Sequence, residues 1–161
     1  MFDPIGVLAT LERHRVSFVV IGAFARVIHG TGEVTRSIDI VPSTKPENLR
    51  RLDAALRDLK ARRADGKTLE LERHSRDEPV IALETDRGSL AIVPQPEGTR
   101  GYDDLRRAAA REPLGSGVRP SVASVGDLSR MLGALDRERD QVPLQLLRRL
   151  AELERQRVVE L

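Results

Sequence analysis

The chain has 161 residues, 40% of them hydrophobic and 32% charged, with a formal net charge of only +2. That balance points to one folded domain with a real core and excludes a strongly basic nucleic-acid-binding domain. The absence of cysteine excludes disulfides and thiolate metal sites. No stretch is apolar for long enough to suggest a membrane span, and the amphipathic start with acidic Asp3 does not read as a signal peptide, so a cytoplasmic setting is the default.

Aromatic residues make up 2% of the chain, so the core must be built from Leu, Val, Ile and Ala. Asp3-Pro4 opens a helix that ends near His14, with Asp suited to the cap and Pro to the first turn. Val16 to Ile21 reads as a buried strand. Gly22 begins a second helix, which Gly30 stops. Ser37 to Val41 is the next strand, closed by Pro42. Lys45 to Arg63 carries Leu49, Leu52, Ala55, Leu56 and Leu59 at helical spacing, with Pro46 at its start. After a turn at Asp65-Gly66, short strands are predicted at Leu69 to Glu72, Val80 to Thr85 and Ser89 to Val93, the last two joined through Asp86-Arg87-Gly88. Pro94 to Gly101 is a loop, Tyr102 to Arg111 a helix, and Ser121 to Ala123 a short extended piece. Ser124 caps a helix from Val125 to Leu135, with Asp127 placed like a capping-box acid. A last helix runs from about Gln141 to Val158. The order gives an α/β fold: a mixed sheet flanked by helices over about residues 1–111, then a mainly helical tail over about 112–161.

Chemistry concentrates between Ser17 and Val41. An apolar strand enters Gly22-Ala23, a short helix ends at His29-Gly30, and a polar loop leads to a strand carrying Asp39 beside Ser37. A glycine turn lets backbone approach a ligand closely, and the helix behind it presents its amide dipole to an anion. A carboxylate on the adjacent strand could hold a divalent metal that bridges phosphates.

These residues resemble the nucleotidyltransferase superfamily of the DNA-polymerase-β type, in particular the small bacterial branch with toxin nucleotidyltransferases of toxin–antitoxin and abortive-infection systems. Val19-Val20-Ile21-Gly22-Ala23, Ala25, His29-Gly30, Thr35 and Ile38-Asp39-Ile40 fall on its first motif. Thr85, Gly88, Leu90, Pro94, Gly98, Tyr102, Asp104 and Leu105 follow in the family's order, as does VASVGDLSRMLGALDRERD near the end. The resemblance implies a minimal nucleotidyltransferase core. It implies nucleotide contacts at Gly22, Ala23, Thr35 and Ser37, and Asp39 as the remaining catalytic and metal-binding residue if activity persists.

The departures from the family pattern sit at the positions that would touch metal or phosphate. Ser37 stands where the first of two paired aspartates belongs, and Ala91 where a third, acceptor-activating aspartate belongs. Ala23 replaces a usual Gly or Ser, Glu33 a loop arginine, and Leu132 a helix lysine expected to meet phosphate. The resulting expectation is a pseudoenzyme that acts through a protein partner, as a homo-oligomer or on a ligand, needing no cofactor. The alternative is an active magnesium-dependent enzyme, transferring a nucleotide to RNA or protein from a site rebuilt around Asp39. That site would borrow Glu33, Glu84 or Asp86. A nucleotide or RNA sensor without turnover is a third reading; a membrane partner is not expected.

Other polar residues read as structural. Asp39 itself is expected to be an inherited acid, hydrogen-bonded or solvated. Thr35 should bond loop backbone, His29 nearby carbonyls, and Arg137 should pair with or cap near Asp140. His14 and His74 have no ligand partners at recognisable spacing and read as surface residues. The arginine pairs 50-51, 62-63, 106-107 and 148-149 read as solvated helix faces. Tyr102 reads as packing a loop–helix junction, with base stacking as its alternative.

Overall fold

The computed structural model describes residues 1–160. The first helix, α1 (Pro4–Arg13), starts where expected: Asp3 Oδ1 accepts from Gly6 N at 3.0 Å. Strand β1 (Phe18–Ile21) is buried along its whole length, as befits a central strand covered on both faces. It runs directly into α2 (Gly22–His29), which ends at Gly30 in the left-handed conformation (φ 106°). Strand β2 (Ser37–Pro42) returns antiparallel to β1, with Ile21 opposite Asp39. Ile38 and Ile40 are fully buried, and the two-residue period of a strand puts Ser37 and Asp39 on the opposite face.

Helix α3 (Pro46–Asp58) is shorter than its leucine spacing suggests. Lys60 adopts a positive φ of 52°, which turns the chain out of the helix. Arg62–Arg63 then forms an edge strand, β3, opposite Glu84 and Leu83. The strand expected at Leu69 to Glu72 is instead the start of helix α4 (Leu71–Asp77). Only Leu71 of that helix is buried, so it is held by one apolar anchor rather than by a strand's alternating face. The hairpin β4 (Ile81–Thr85) and β5 (Gly88–Ile92) forms as expected. The helix expected from Tyr102 to Arg111 is a single turn, α5 (Tyr102–Leu105), followed by strand β6 (Ala110–Arg111). Strand β7 (Ser121–Val122) pairs antiparallel with β6 and parallel with β1.

The result is a mixed seven-stranded sheet in the order β3-β4-β5-β2-β1-β7-β6, with β2 and β5 parallel. Helix α6 (Val125–Leu135) is capped as predicted by Ser124, whose Oγ accepts from Asp127 N at 3.0 Å. The Asp127 carboxylate does not complete a capping box but meets Arg130 at 3.2 Å. A 3-10 turn (Glu138–Asp140) leads into the long α7 (Gln141–Glu160), and α2 packs against both α6 and α7. Among the described residues no helix is long and apolar enough to cross a membrane.

Asn48 fastens α3 to the two central strands. Its Oδ1 accepts from Ser17 N at 2.7 Å, and its Nδ2 donates to Ser17 O at 3.0 Å and Ser43 O at 2.7 Å. Two histidines and an arginine also differ from their sequence reading. His14 Nε2 meets Asp58 Oδ2 at 2.5 Å, joining the end of α1 to the end of α3. Arg63 is buried and bonds Asp65 and Glu78 through paired contacts, with His74 Nδ1 at 3.0 Å. Arg63 and His74 are partnered because the β3 edge folds back against α4, and His14 because the ends of α1 and α3 lie side by side, contacts that local sequence does not reveal.

Candidate functional site

The site begins where β1 passes into α2. Gly22 has φ 72°, and a Cβ placed there would collide with Asp39 Oδ2, with Asp39 Cγ at 3.0 Å. Glycine is therefore required twice over, once by the left-handed backbone and once by the carboxylate that rests against it. The close approach that suits a bound phosphate in the motif is here taken up by the chain's own acid.

Asp39 is part-buried and has no hydrogen-bond or ion-pair partner among the described residues; its carboxylate oxygens keep contact with solvent, the second of the two roles expected of it. Burial pushes its carboxyl above the ordinary aspartate value, against a smaller downward pull from the Arg26 charge. Such a group favours the folded state most when protonated, below the unfolded value near 3.8. Its contribution is lost as pH rises through the raised folded value. Asp39→Asn is therefore expected to raise the melting temperature at neutral pH. The gain should vanish in melting curves recorded below about pH 4, where both states carry a protonated aspartate in the unaltered chain.

The strand register fixes what surrounds this acid. Asp39 lies beside Ala91 and Ser37 beside Ser89. The positions that the resemblance assigns to a first and a third carboxylate are thus Ser37 and Ala91, on the same face as Asp39. Thr35 turns back on the loop: its Oγ1 donates to Ser37 O at 3.2 Å and accepts from Ser37 N at 3.4 Å. Ala23 begins α2, immediately behind the Gly22 turn.

The carboxylates that could have rebuilt the site are engaged elsewhere. Glu33 accepts from Arg26 at 2.8 and 3.0 Å and from Thr31 Oγ1 at 2.7 Å. Burial pushes Glu33 upward, but the hydrogen bonds from Arg26 and Thr31 outweigh it and hold the group below its ordinary value. Glu84 receives the Ser89 hydroxyl at 2.9 Å. Asp86 lies at the β4–β5 turn, 3.8 Å from Lys60. Among the described residues no group of three His, Cys, Asp or Glu side chains could hold a metal ion. The donor set does not fit magnesium, which needs well-placed carboxylates at octahedral geometry.

Asp39 opens into a cavity of about 260 Å³ between β5, the Val93–Glu97 loop and α6. Its walls include Val80, Leu128, Met131, Leu132 and Leu135. Leu132, in place of the expected phosphate-binding lysine, is one of the buried residues there. Arg137 also lines it, but its Nε is 2.5 Å from Asp140 Oδ2, the pairing anticipated for the helix–helix turn. The two arginines near Asp39, Arg26 and Arg137, are both matched by the chain's own acids.

His29 takes the structural role expected of it, its Nε2 lying 2.8 Å from Ala123 O. Tyr102 packs against the core and borders a separate, polar depression of about 570 Å³ beside Lys45, Arg76 and Arg100. None of the motif residues on β1 or α2 line that depression. The site residue that sequence reasoning missed is Arg26. An arginine in a short helix reads as solvated, and the only signal was its position four residues after Gly22, one helical turn into α2.

No family model matches the chain, and no curated protein matches it by sequence. Among solved structures it is similar to the antibiotic-resistance factor ANT(2'')-Ia, whose solution structure reveals substrate-regulated conformation dynamics. The TM-score is 0.56 at 16% identity, over 96% of this chain and 90% of that one. At that identity the likeness is one of fold alone, and it agrees with the expected mixed sheet flanked by helices with a C-terminal helix.

Proposed function

We propose that this chain uses a nucleotidyltransferase-like fold to bind a partner or a ligand other than a nucleotide, and does not transfer nucleotides. The observation that carries this reading is the isolation of Asp39, flanked in register by Ser37 and Ala91 instead of by further carboxylates. Two-metal phosphoryl transfer needs ligands for both ions, one of them shared with the attacking hydroxyl. A single aspartate offers neither the charge nor the geometry, and most catalysis in this chemistry comes from positioning and charge neutralisation. The pairing of Arg26 with Glu33 and of Arg137 with Asp140 supports the same conclusion, since neither cation is left for a triphosphate. In this reading the protein acts by engaging a ligand or protein partner, as a homo-oligomer or beside an active nucleotidyltransferase of a toxin–antitoxin type.

A rebuilt enzyme site that borrowed Glu33 would require it to leave two hydrogen bonds from Arg26 and one from Thr31. The test is direct. With magnesium and each nucleoside triphosphate at millimolar concentration, the melting temperature is expected to stay unchanged, because a ligand stabilises only what it binds. Labelled nucleotide should not be transferred to RNA or protein. Transfer that requires magnesium and is abolished by Asp39→Ala would overturn the reading.

A further inference from the structure

The cavity above Asp39 suits a ligand unlike a nucleotide. Its walls are dominated by aliphatic side chains from α6 and from Val80, and its volume of about 260 Å³ lies just below the range of about 300–1,000 Å³ common for drug-sized ligands. It is open to solvent at one side, where Val80 is 50% and Leu135 38% exposed. Asp39 lies against Gly22 in this lining without a partner among the described residues. Glu97, exposed, adds a second negative charge. The cationic residue of the lining, Arg137, is committed to Asp140, and Arg26 is committed to Glu33.

Each ligand class meets this surface differently. An anion faces Asp39 and Glu97 with no free cation in the lining to receive it. A neutral apolar molecule is welcomed by the leucines but would exclude solvent from the Asp39 carboxylate without pairing it, which is costly. A cation joined to an apolar body satisfies both parts of the surface. We propose that this cavity binds a small organic amine, its ammonium donating to Asp39 and its carbon skeleton lying between β5 and α6. This rests on the reading that the site binds rather than transfers, and adds the chemical class of the ligand. The pull of burial on Asp39 agrees with it, because an ammonium in contact would stabilise the charged carboxylate that burial disfavours.

Three probes with one six-carbon skeleton decide the matter: hexylammonium, hexan-1-ol and hexanoate, titrated at neutral pH into the isotopically labelled, unaltered chain. Hexylammonium is expected to shift the amide signals of Gly22, Ala91 and Leu132 saturably. It should do so at least about tenfold more tightly than hexan-1-ol, the scale of one charge-assisted hydrogen bond. Hexanoate should bind more weakly than either. Asp39→Asn is expected to reduce hexylammonium to the affinity of the alcohol while leaving the alcohol unchanged. The comparison among probes on the unaltered chain decides the question independently of that variant. Equal binding of amine and alcohol, tighter binding of hexanoate, or no saturable shift with hexylammonium would overturn the proposal, as would an amine preference that survives Asp39→Asn. Nucleotide transfer, measured separately, would instead remove the reading beneath it.

Discussion

Gly22→Ala is expected to destabilise the fold by about 2–4 kcal/mol. Two costs add. The left-handed backbone at φ 72° disfavours any side chain, by about 1–2 kcal/mol for an ordinary residue. The new methyl must also displace Asp39 Oδ2, because the carboxylate already occupies its place. Urea denaturation should show a lower midpoint with an unchanged slope, the signature of lost stability without a change in exposed surface. Combining Gly22→Ala with Asp39→Ala separates the terms. The double variant should recover the collision and retain the backbone cost, giving a coupling between the two sites that distant residues do not show. A Gly22→Ala variant as stable as the unaltered chain would show that Asp39 does not rest on this glycine.

The second large effect is expected at Asn48. It is 5% exposed and satisfies three backbone groups: Ser17 N, Ser17 O and Ser43 O. Asn48→Ala removes all three bonds at once; Ser17 O still accepts from Ser43 N at 3.0 Å, while Ser17 N and Ser43 O each lose this partner, at about 1–3 kcal/mol apiece when water cannot reach them. Part of this site borders an open recess beside Ser43 and Lys45 that water can enter, so a total of about 3 kcal/mol is expected. Asn48→Asp should be worse than its small change in shape suggests, because a carboxylate would face the carbonyls of Ser17 and Ser43 in place of a donor. Chemical denaturation of both variants measures this, and an aspartate variant as stable as the parent would contradict the bonding pattern.

Much of the architecture is legible in the residues because local signals and burial agree. Asp3-Pro4, Gly30 and Ser124 mark helix ends by their own chemistry, and the Asp86–Gly88 turn joins two strands whose apolar residues alternate. The central strand β1 is readable as a continuous apolar run. The failures have a common cause in tertiary context. Leu69-Glu70-Leu71 alternates like a strand, yet Leu71 anchors a helix whose other residues are polar and whose orientation depends on Arg63, Glu78 and His74 across the β3 edge. Strands of two residues, such as β3 and β6, have no period to detect. At the site, the spacing of the motif residues placed Ser37, Asp39 and Ala91 together, and the strand register does set Asp39 opposite Ala91 with Ser37 two residues before it. The burial of Arg26 and its capture of Glu33 were not readable, because seven residues and a loop separate the partners.

Strand β7 carries a consequence for how the chain comes off the ribosome. Val20 in the middle of the sheet pairs with Val122, and Ala123 N donates to Val20 O at 3.0 Å, so one side of β1 is completed only by residues made far later. Until then Phe18-Val19-Val20-Ile21 is an apolar edge with unpaired amides, the kind of surface that templates association between chains. The two-residue strand that closes it is too short to compete by itself and relies on the Ser124 cap and His29 to hold it in place. The segment from Ser121 to Ser124 is therefore the latch that closes this side of the sheet.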